Sequence, residues 1–228
     1  MTALPTSPEA PPSRPAPDRR PVRTWLVSVS DKTGLADLVR GIEAAGQSVT
    51  FLSTGGTFRT LAGLLSPDGP VELVSVEDYT GYPEMPGGLV KTLHPRIHGG
   101  LLADLGSTEQ VAYLERHGIR PIDAVIVNLY PFEATLARPD CTAEEVRQQI
   151  DIGGPTMLRA AAKNHPRVAV VTDPADYPVL LEELSSHEGT LGSQTRWRLA
   201  ARAFRHVAAY DEAIARYFEG QVPSADVP

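Results

Sequence analysis

The feature that most constrains this chain is a repeated alternation of two textures. WLVSV, VTFLS, VELVSV, IDAVIV and RVAVV are short, almost continuous apolar runs, and amphipathic segments separate them. A strand with one wet face alternates apolar and polar residues. A strand that is apolar throughout must be covered on both faces. Such strands, interleaved with helices, predict an α/β domain: a mostly parallel twisted sheet between two helical layers, with further helices at the C-terminal end.

The intervening segments read as helices. DKTGLADLVRGIEAAG places Leu35, Leu38, Val39, Ile42 and Ala45 on one face, with Gly46 as a stop. TGGTFRTLAGLL enters a helix from a glycine turn, and GSTEQVAYLERHG offers Thr108 as its cap. CTAEEVRQQI has the capping pattern of Thr142 with Glu145. GPTMLRAAAKNH opens with a proline suited to a first turn. DPADYPVLLEEL and the long TRWRLAARAFRHVAAYDEAIARYFEG complete the set.

Seven prolines among the first 21 residues block both helix and sheet pairing, so residues 1–21 are expected to be a disordered tail. One domain is expected over residues 22–220, followed by a polar tail over 221–228. A net charge of −7 argues against a general nucleic-acid or membrane-surface binder but leaves room for a small anion in a locally positive pocket. One cysteine, Cys141, excludes an internal disulfide and a cysteine-rich zinc site, which fits a cytoplasmic setting. No apolar run approaches the ~20 residues of a membrane span.

In open parallel sheets ligands sit beyond the C-terminal strand ends. Polar clusters follow the apolar runs here in that way: Ser30-Asp31-Lys32-Thr33, Ser53-Thr54-Gly55-Gly56-Thr57, and Asn128-Leu129-Tyr130-Pro131. In STGGT, two glycines allow close backbone approach, and the free N–H groups of the following helix suit a phosphate. Lys32 is a candidate countercharge. In DIGGPTMLRAAAKNH, Asp151 precedes Gly153 and Gly154, while Lys163 and Asn164 end the helix. The stretch GGLVKTLHPRIHGGLL has no clean period and carries Lys91, Thr92, His94 and His98. The two histidines have the spacing of a helical zinc pair, but Pro95 between them and Gly99-Gly100 after them make a regular helix poor, and no third ligand follows. The stretch therefore reads as a presentation loop around Lys91 and Thr92, with no metal.

VSVSDKTGL, FLSTGGT, VKTLHPRIHGGLL, IVNLYPF, IDIGGPTMLRAAAKNH and AFRHVAAYDEAIARYF together resemble the IMP cyclohydrolase domain of the bifunctional purine-biosynthesis protein, over about residues 24–220. The resemblance implies a methylglyoxal-synthase-like three-layer fold and dehydrative ring closure of a formylated carboxamide ribonucleotide (FAICAR) to IMP. It further implies no cofactor and a homodimer. By resemblance, Lys91, Tyr130, Asp151 and Lys163 form the catalytic group. Ser30, Lys32, Thr33, Ser53, Thr54, Gly55, Gly56 and Thr57 hold phosphate and ribose. Thr92, Asn128, Ile152, Gly153 and Gly154 complete the substrate contacts. Two departures stand out: Leu89 replaces the arginine usual before Val-Lys-Thr-Leu-His-Pro, and no formyltransferase domain follows, so a stand-alone cyclohydrolase is expected. The rival readings are a methylglyoxal synthase and a nucleotide-sensing regulatory domain. Neither needs the whole Lys91, Tyr130, Asp151 and Lys163 group.

Overall fold

A computed structural model describes residues 18–85, 89–130 and 132–221. In chain order the first elements are β1 (Arg19–Pro21), β2 (Thr24–Val29), α1 (Leu35–Ala44), β3 (Val49–Ser53), α2 (Gly55–Leu64), β4 (Val71–Ser75) and α3 (Val76–Thr80). Then come α4 (Pro95–Leu102), α5 (Thr108–Arg116), β5 (Ala124–Asn128), α6 (Phe132–Leu136), α7 (Ala143–Gln148) and α8 (Gly153–Lys163). The chain finishes with β6 (Ala169–Val171), a 3₁₀ turn at Pro174–Asp176, α9 (Tyr177–Ser186), β7 (Thr190–Gly192) and α10 (Ser193–Gly220).

The central sheet has the order β4-β3-β2-β5-β6, and every pairing in it is parallel. Its strands are buried on both sides because successive side chains serve different cores. Leu26, Leu52, Val125, Val127 and Val170 face one layer, where Ile97 and Leu101 of α4, Met157, Leu158 and Ala161 of α8, and Ala203 and Val207 of α10 meet them. Trp25, Val27, Phe51, Ile126 and Val171 face the other, packed on α1, α2 and α9 through Leu35, Leu38, Leu61, Tyr177 and Leu180. This is the three-layer α/β architecture that the unbroken apolar runs require.

The order of strands creates a switch point. The chain runs outward from β2 to β3 and β4, then returns to β5 and runs outward the other way to β6. The C-terminal ends of β2 and β5 therefore diverge into loops on opposite sides of one crevice, the usual place for a ligand in an open parallel sheet.

Several expectations are corrected. Pro95 begins a helix instead of preventing one: it occupies the first turn, where its missing N–H costs nothing, and His94 caps it by accepting the Arg96 N–H at Nδ1 over 3.1 Å. Gly100 is required inside α4, because a Cβ there would lie 2.5 Å from the Arg120 carbonyl oxygen. The cap of α5 is Ser107, not Thr108. The disordered tail read over residues 1–21 does not extend to Arg19–Pro21, which pair antiparallel with β7. Arg19 reinforces that pairing with a 2.9 Å ion pair to Glu183. Residues 1–17 and 222–228 lie outside the described residues. Among the described residues no helix is long and apolar enough to cross a membrane.

Two buried arginines join the layers. Arg196 donates to the carbonyls of His165, Leu191, Pro166 and Asp18, so it binds the small β1–β7 sheet to the main body. Arg167, only 5% exposed, donates to the carbonyls of Ile122 at 2.9 Å, Leu101 at 2.9 Å, Gly100 and Ala103. Asn164 adds a 2.7 Å bond to the Leu101 carbonyl. The C-terminal carbonyls of α4, which helix geometry leaves unpaired, are thus satisfied by the residues that follow α8. Replacing Arg167 with alanine leaves those buried acceptors empty and should cost about 3–5 kcal/mol. Urea unfolding measures this, and a loss below about 1 kcal/mol would show that water or repacking satisfies them.

Candidate functional site

Three chain segments converge near the C-terminal ends of β2 and β3. The first is the STGGT turn. Ser53 is fully buried, and its hydroxyl donates to the Val27 carbonyl over 2.7 Å. The Thr57 hydroxyl both accepts the Val29 N–H and donates to the Val29 carbonyl, each over 3.0 Å. Thr54 donates to Glu77 over 2.9 Å. All three hydroxyls are therefore committed to the protein, and what the turn offers a ligand is backbone. Gly55 has φ of 56°, in the left-handed region that glycine tolerates, and Gly56 is exposed at the start of α2. The first N–H groups of that helix have no intrahelical acceptor and favour an anion.

The second segment carries Lys91 and Thr92. A Cβ on Gly55 would lie 3.2 Å from the Lys91 Nζ, so the ammonium stands directly beside the first residue of α2. Lys91 also forms a 2.5 Å ion pair with Glu84. It is preceded by Val90 at φ 54°, a β-branched residue in the left-handed region. Such a conformation costs about 1–3 kcal/mol and persists only where the surroundings enforce it. Leu89 is exposed and bridges Met85 through the backbone. Gly87 and Gly88 of the same motif lie outside the described residues. Thr92 is buried. His98 reaches back from α4 to the Thr92 backbone, and although this bond opposes it, burial lowers the imidazole pKa. The histidine thus ties α4 to the segment before it.

The third segment is the start of α8. A Cβ on Gly153 would come 2.7 Å from the Thr92 hydroxyl, which joins this segment to the second. Asp151 Oδ1 accepts the Gly154 N–H over 2.9 Å. The Asp151 N–H donates to the Tyr210 hydroxyl over 2.8 Å, and that hydroxyl donates in turn to the Gln149 carbonyl. Burial raises the Asp151 pKa above the ordinary aspartate value, and the Gly154 and Gly153 N–H groups only partly offset it. A carboxylate that is harder to keep ionised is a stronger base. Tyr130 and Ile152 are exposed at the rim of this segment, and Leu129, just before the tyrosine, lies where a Gly154 Cβ would go.

The remaining expected residues fall in two groups. Asn128 spends its amide on the loop after β2: its Oδ1 accepts from Ser30 and Asp31 N–H, and its Nδ2 donates to the Asp31 carbonyl. It braces the switch point instead of presenting a free amide. Thr33 turns inward to Asp31, with a 2.7 Å hydroxyl bond, while Lys32 is exposed with only long contacts to the Val29 and Ser30 carbonyls. Lys163 is exposed at the C-terminal end of α8. It ends α8, eleven residues long, which begins at Gly153 just after Asp151, so ten residue steps put about 15 Å of helix backbone between Gly153 and Lys163. Its neighbours hold the far end of α4 instead. Pro131 of the NLYPF motif lies outside the described residues.

One cleft joins Ser30 and Asn128, expected as substrate contacts, to residues of α10 that the sequence did not point to. On the α10 side of the switch point, a space of about 740 Å³ is lined by Asp31, Asn128, Asp173, Arg202, Arg205 and His206, among others. The arginines lie on the polar side of a long amphipathic helix, where a sequence reads them as solvated charges. Arg202 is paired with the buried carboxylate of Asp176.

The fold and the convergence of these segments define an MGS-like α/β domain, and the profile of that family matches residues 34–156. The profile of the AICARFT/IMPCHase bienzyme matches residues 161–227. The chain therefore belongs to the MGS-like domain family. It is similar to a solved structure titled "Crystal structure of ForH", at 34% identity over 86% of this chain and 99% of that one, with a TM-score of 0.71.

The Asp151–Gly154 cap gives a direct test of how the third segment is built. A Cβ on Gly154 would sit 2.4 Å from Asp151 Oδ2 and 2.6 Å from Leu129 Cδ2. Gly154→Ala should therefore lower stability by about 1–3 kcal/mol, read as a drop in the urea midpoint at constant slope. An unchanged midpoint would mean that the carboxylate does not occupy this cap.

Proposed function

We propose that the chain is an IMP cyclohydrolase that closes FAICAR to IMP. The match of the AICARFT/IMPCHase bienzyme profile to residues 161–227, after an MGS-like domain, supports the reaction class. The observation that carries the reading is the meeting of Lys91 with the start of α2 and of Thr92 with the start of α8. A ribonucleotide has one dianionic end and one heterocyclic end. The N–H groups at Gly55-Gly56 with Lys91 suit the first, and Asp151, Thr92 and Tyr130 suit the second.

In the reaction, the carboxamide nitrogen attacks the formyl carbon of the same molecule. A C–N bond forms, the nitrogen gives up a proton, and the formyl oxygen becomes a hydroxyl. That hydroxyl then leaves with the hydrogen of the neighbouring formamide nitrogen, so one water is lost. Nucleophile and electrophile are already tethered, so the protein's task is to hold the reactive rotamer and move protons. Asp151, made more basic by burial, takes the carboxamide proton. Tyr130 donates to the developing oxyanion from the rim. Lys91, expected at first as a proton-transfer partner, serves the phosphate end in this arrangement.

Ultraviolet absorbance should record FAICAR turning into IMP with purified protein and no added metal. Asp151→Asn should lower kcat by about 10²–10⁴-fold while IMP binding changes little. The sign of the pH effect follows from the raised pKa. The base form is lost as pH falls, so kcat should decline on the acid side at a pH above the ordinary aspartate range, and Asp151→Asn should abolish that limb. Nucleotide binding without turnover would instead indicate a sensing domain, and turnover of a triose phosphate would indicate a methylglyoxal synthase.

A further inference from the structure

Glu84 has no task in the proposed reaction, yet it contacts the cation at the start of α2. Its carboxylate lies 2.5 Å from Lys91 Nζ, and Lys91 stands beside Gly55 at the start of α2. The cation best placed to receive a ligand's anion is therefore already paired with an anion of the protein. The other charged groups of the neighbourhood do not compete in the same way. Glu77, on α3, accepts the Thr54 hydroxyl, and Lys32 is exposed with long contacts to the Val29 and Ser30 carbonyls. Asp31 is spent on Thr33. Among the described residues Glu84, unlike Glu77, is paired with Lys91 alone, and its side chain is 37% exposed against 19% for Lys91. It can swing into water at little cost, whereas Lys91 is fixed behind the left-handed Val90.

We infer that Glu84 is an exchangeable counter-anion: it neutralises Lys91 in the empty site and is displaced when the phosphate of a nucleoside monophosphate arrives. This rests on the reading that the ligand's phosphate docks at the start of α2. The exchange sets a threshold for binding. An incoming anion must outbid a carboxylate already in contact, so a dianionic phosphomonoester displaces Glu84 while monoanions and neutral nucleosides do not. Because an accessible ion pair is worth at most about 1 kcal/mol, removing the competitor should tighten binding by about two- to fivefold. If Glu84 merely held Lys91 in position, removing its charge would weaken binding instead.

The test uses the full chain with three probes, IMP, inosine and inorganic phosphate, and the variants Glu84→Gln, Glu84→Asp and Lys91→Met, with affinity read by calorimetry. Glu84→Gln should bind IMP and inorganic phosphate about two- to fivefold more tightly and leave inosine unchanged. Glu84→Asp should stay close to the parent. In the Lys91→Met background the Glu84→Gln gain should vanish, since there is no cation left to release. Equal or weaker binding of both anions to Glu84→Gln, an equal gain for inosine, or a gain that survives Lys91→Met each overturns the inference. If inorganic phosphate shows the gain while FAICAR is not turned over, the exchange stands and the cyclohydrolase reading falls.

Discussion

A fully parallel sheet cannot leave either face in water, and most of this structure follows from that constraint. Each strand of the central sheet sends alternate residues into two separate cores, so both faces need helices. The covering helices enter and leave at the strand ends, and only the ends remain open for chemistry. Because the chain starts at the middle strand and builds outward in both directions, one pair of strand ends diverges. Asn128 braces that divergence by holding the Ser30–Asp31 backbone. The candidate site is therefore a consequence of topology before it is a matter of particular side chains.

Within the site, rigidity comes from groups that do not themselves face a ligand. The buried hydroxyls of Ser53 and Thr57 bind the STGGT turn to β2. Asn164 and Arg167 satisfy the end of α4, and His98 of the same helix reaches the Thr92 backbone. The AAAKNH motif thus acts on the KTLHP motif through the length of a helix. That accounts for its place beside the site in sequence without placing Lys163 in it. Tyr210, from α10, fixes the backbone of Asp151 in the same indirect manner.

The layers, the direction of the sheet and the placing of the polar motifs after the strands were legible in the sequence, because buried strands and amphipathic helices have distinct periods. The STGGT, KTLHP and DIGG convergence was legible as a set of motifs, though not as a geometry. What failed did so for local reasons. Pro95, Gly99 and Gly100 each lower helix propensity, yet proline suits a first turn and Gly100 is demanded by a carbonyl contact, so tertiary packing overrode propensity in α4. β1 and β7 are three residues each, too short to show a period. The committed hydroxyls of STGGT were not legible, because sequence does not say which way a threonine turns.

The central claim is that a nucleoside monophosphate spans from the start of α2 to the start of α8. A crystal structure of the chain with IMP tests it most directly. The account predicts the phosphate within hydrogen-bonding distance of the Gly55-Gly56 backbone and Lys91, with the base against Asp151 and Thr92. Phosphate seated instead against Arg205 and His206, in the cleft beside α10, would contradict it.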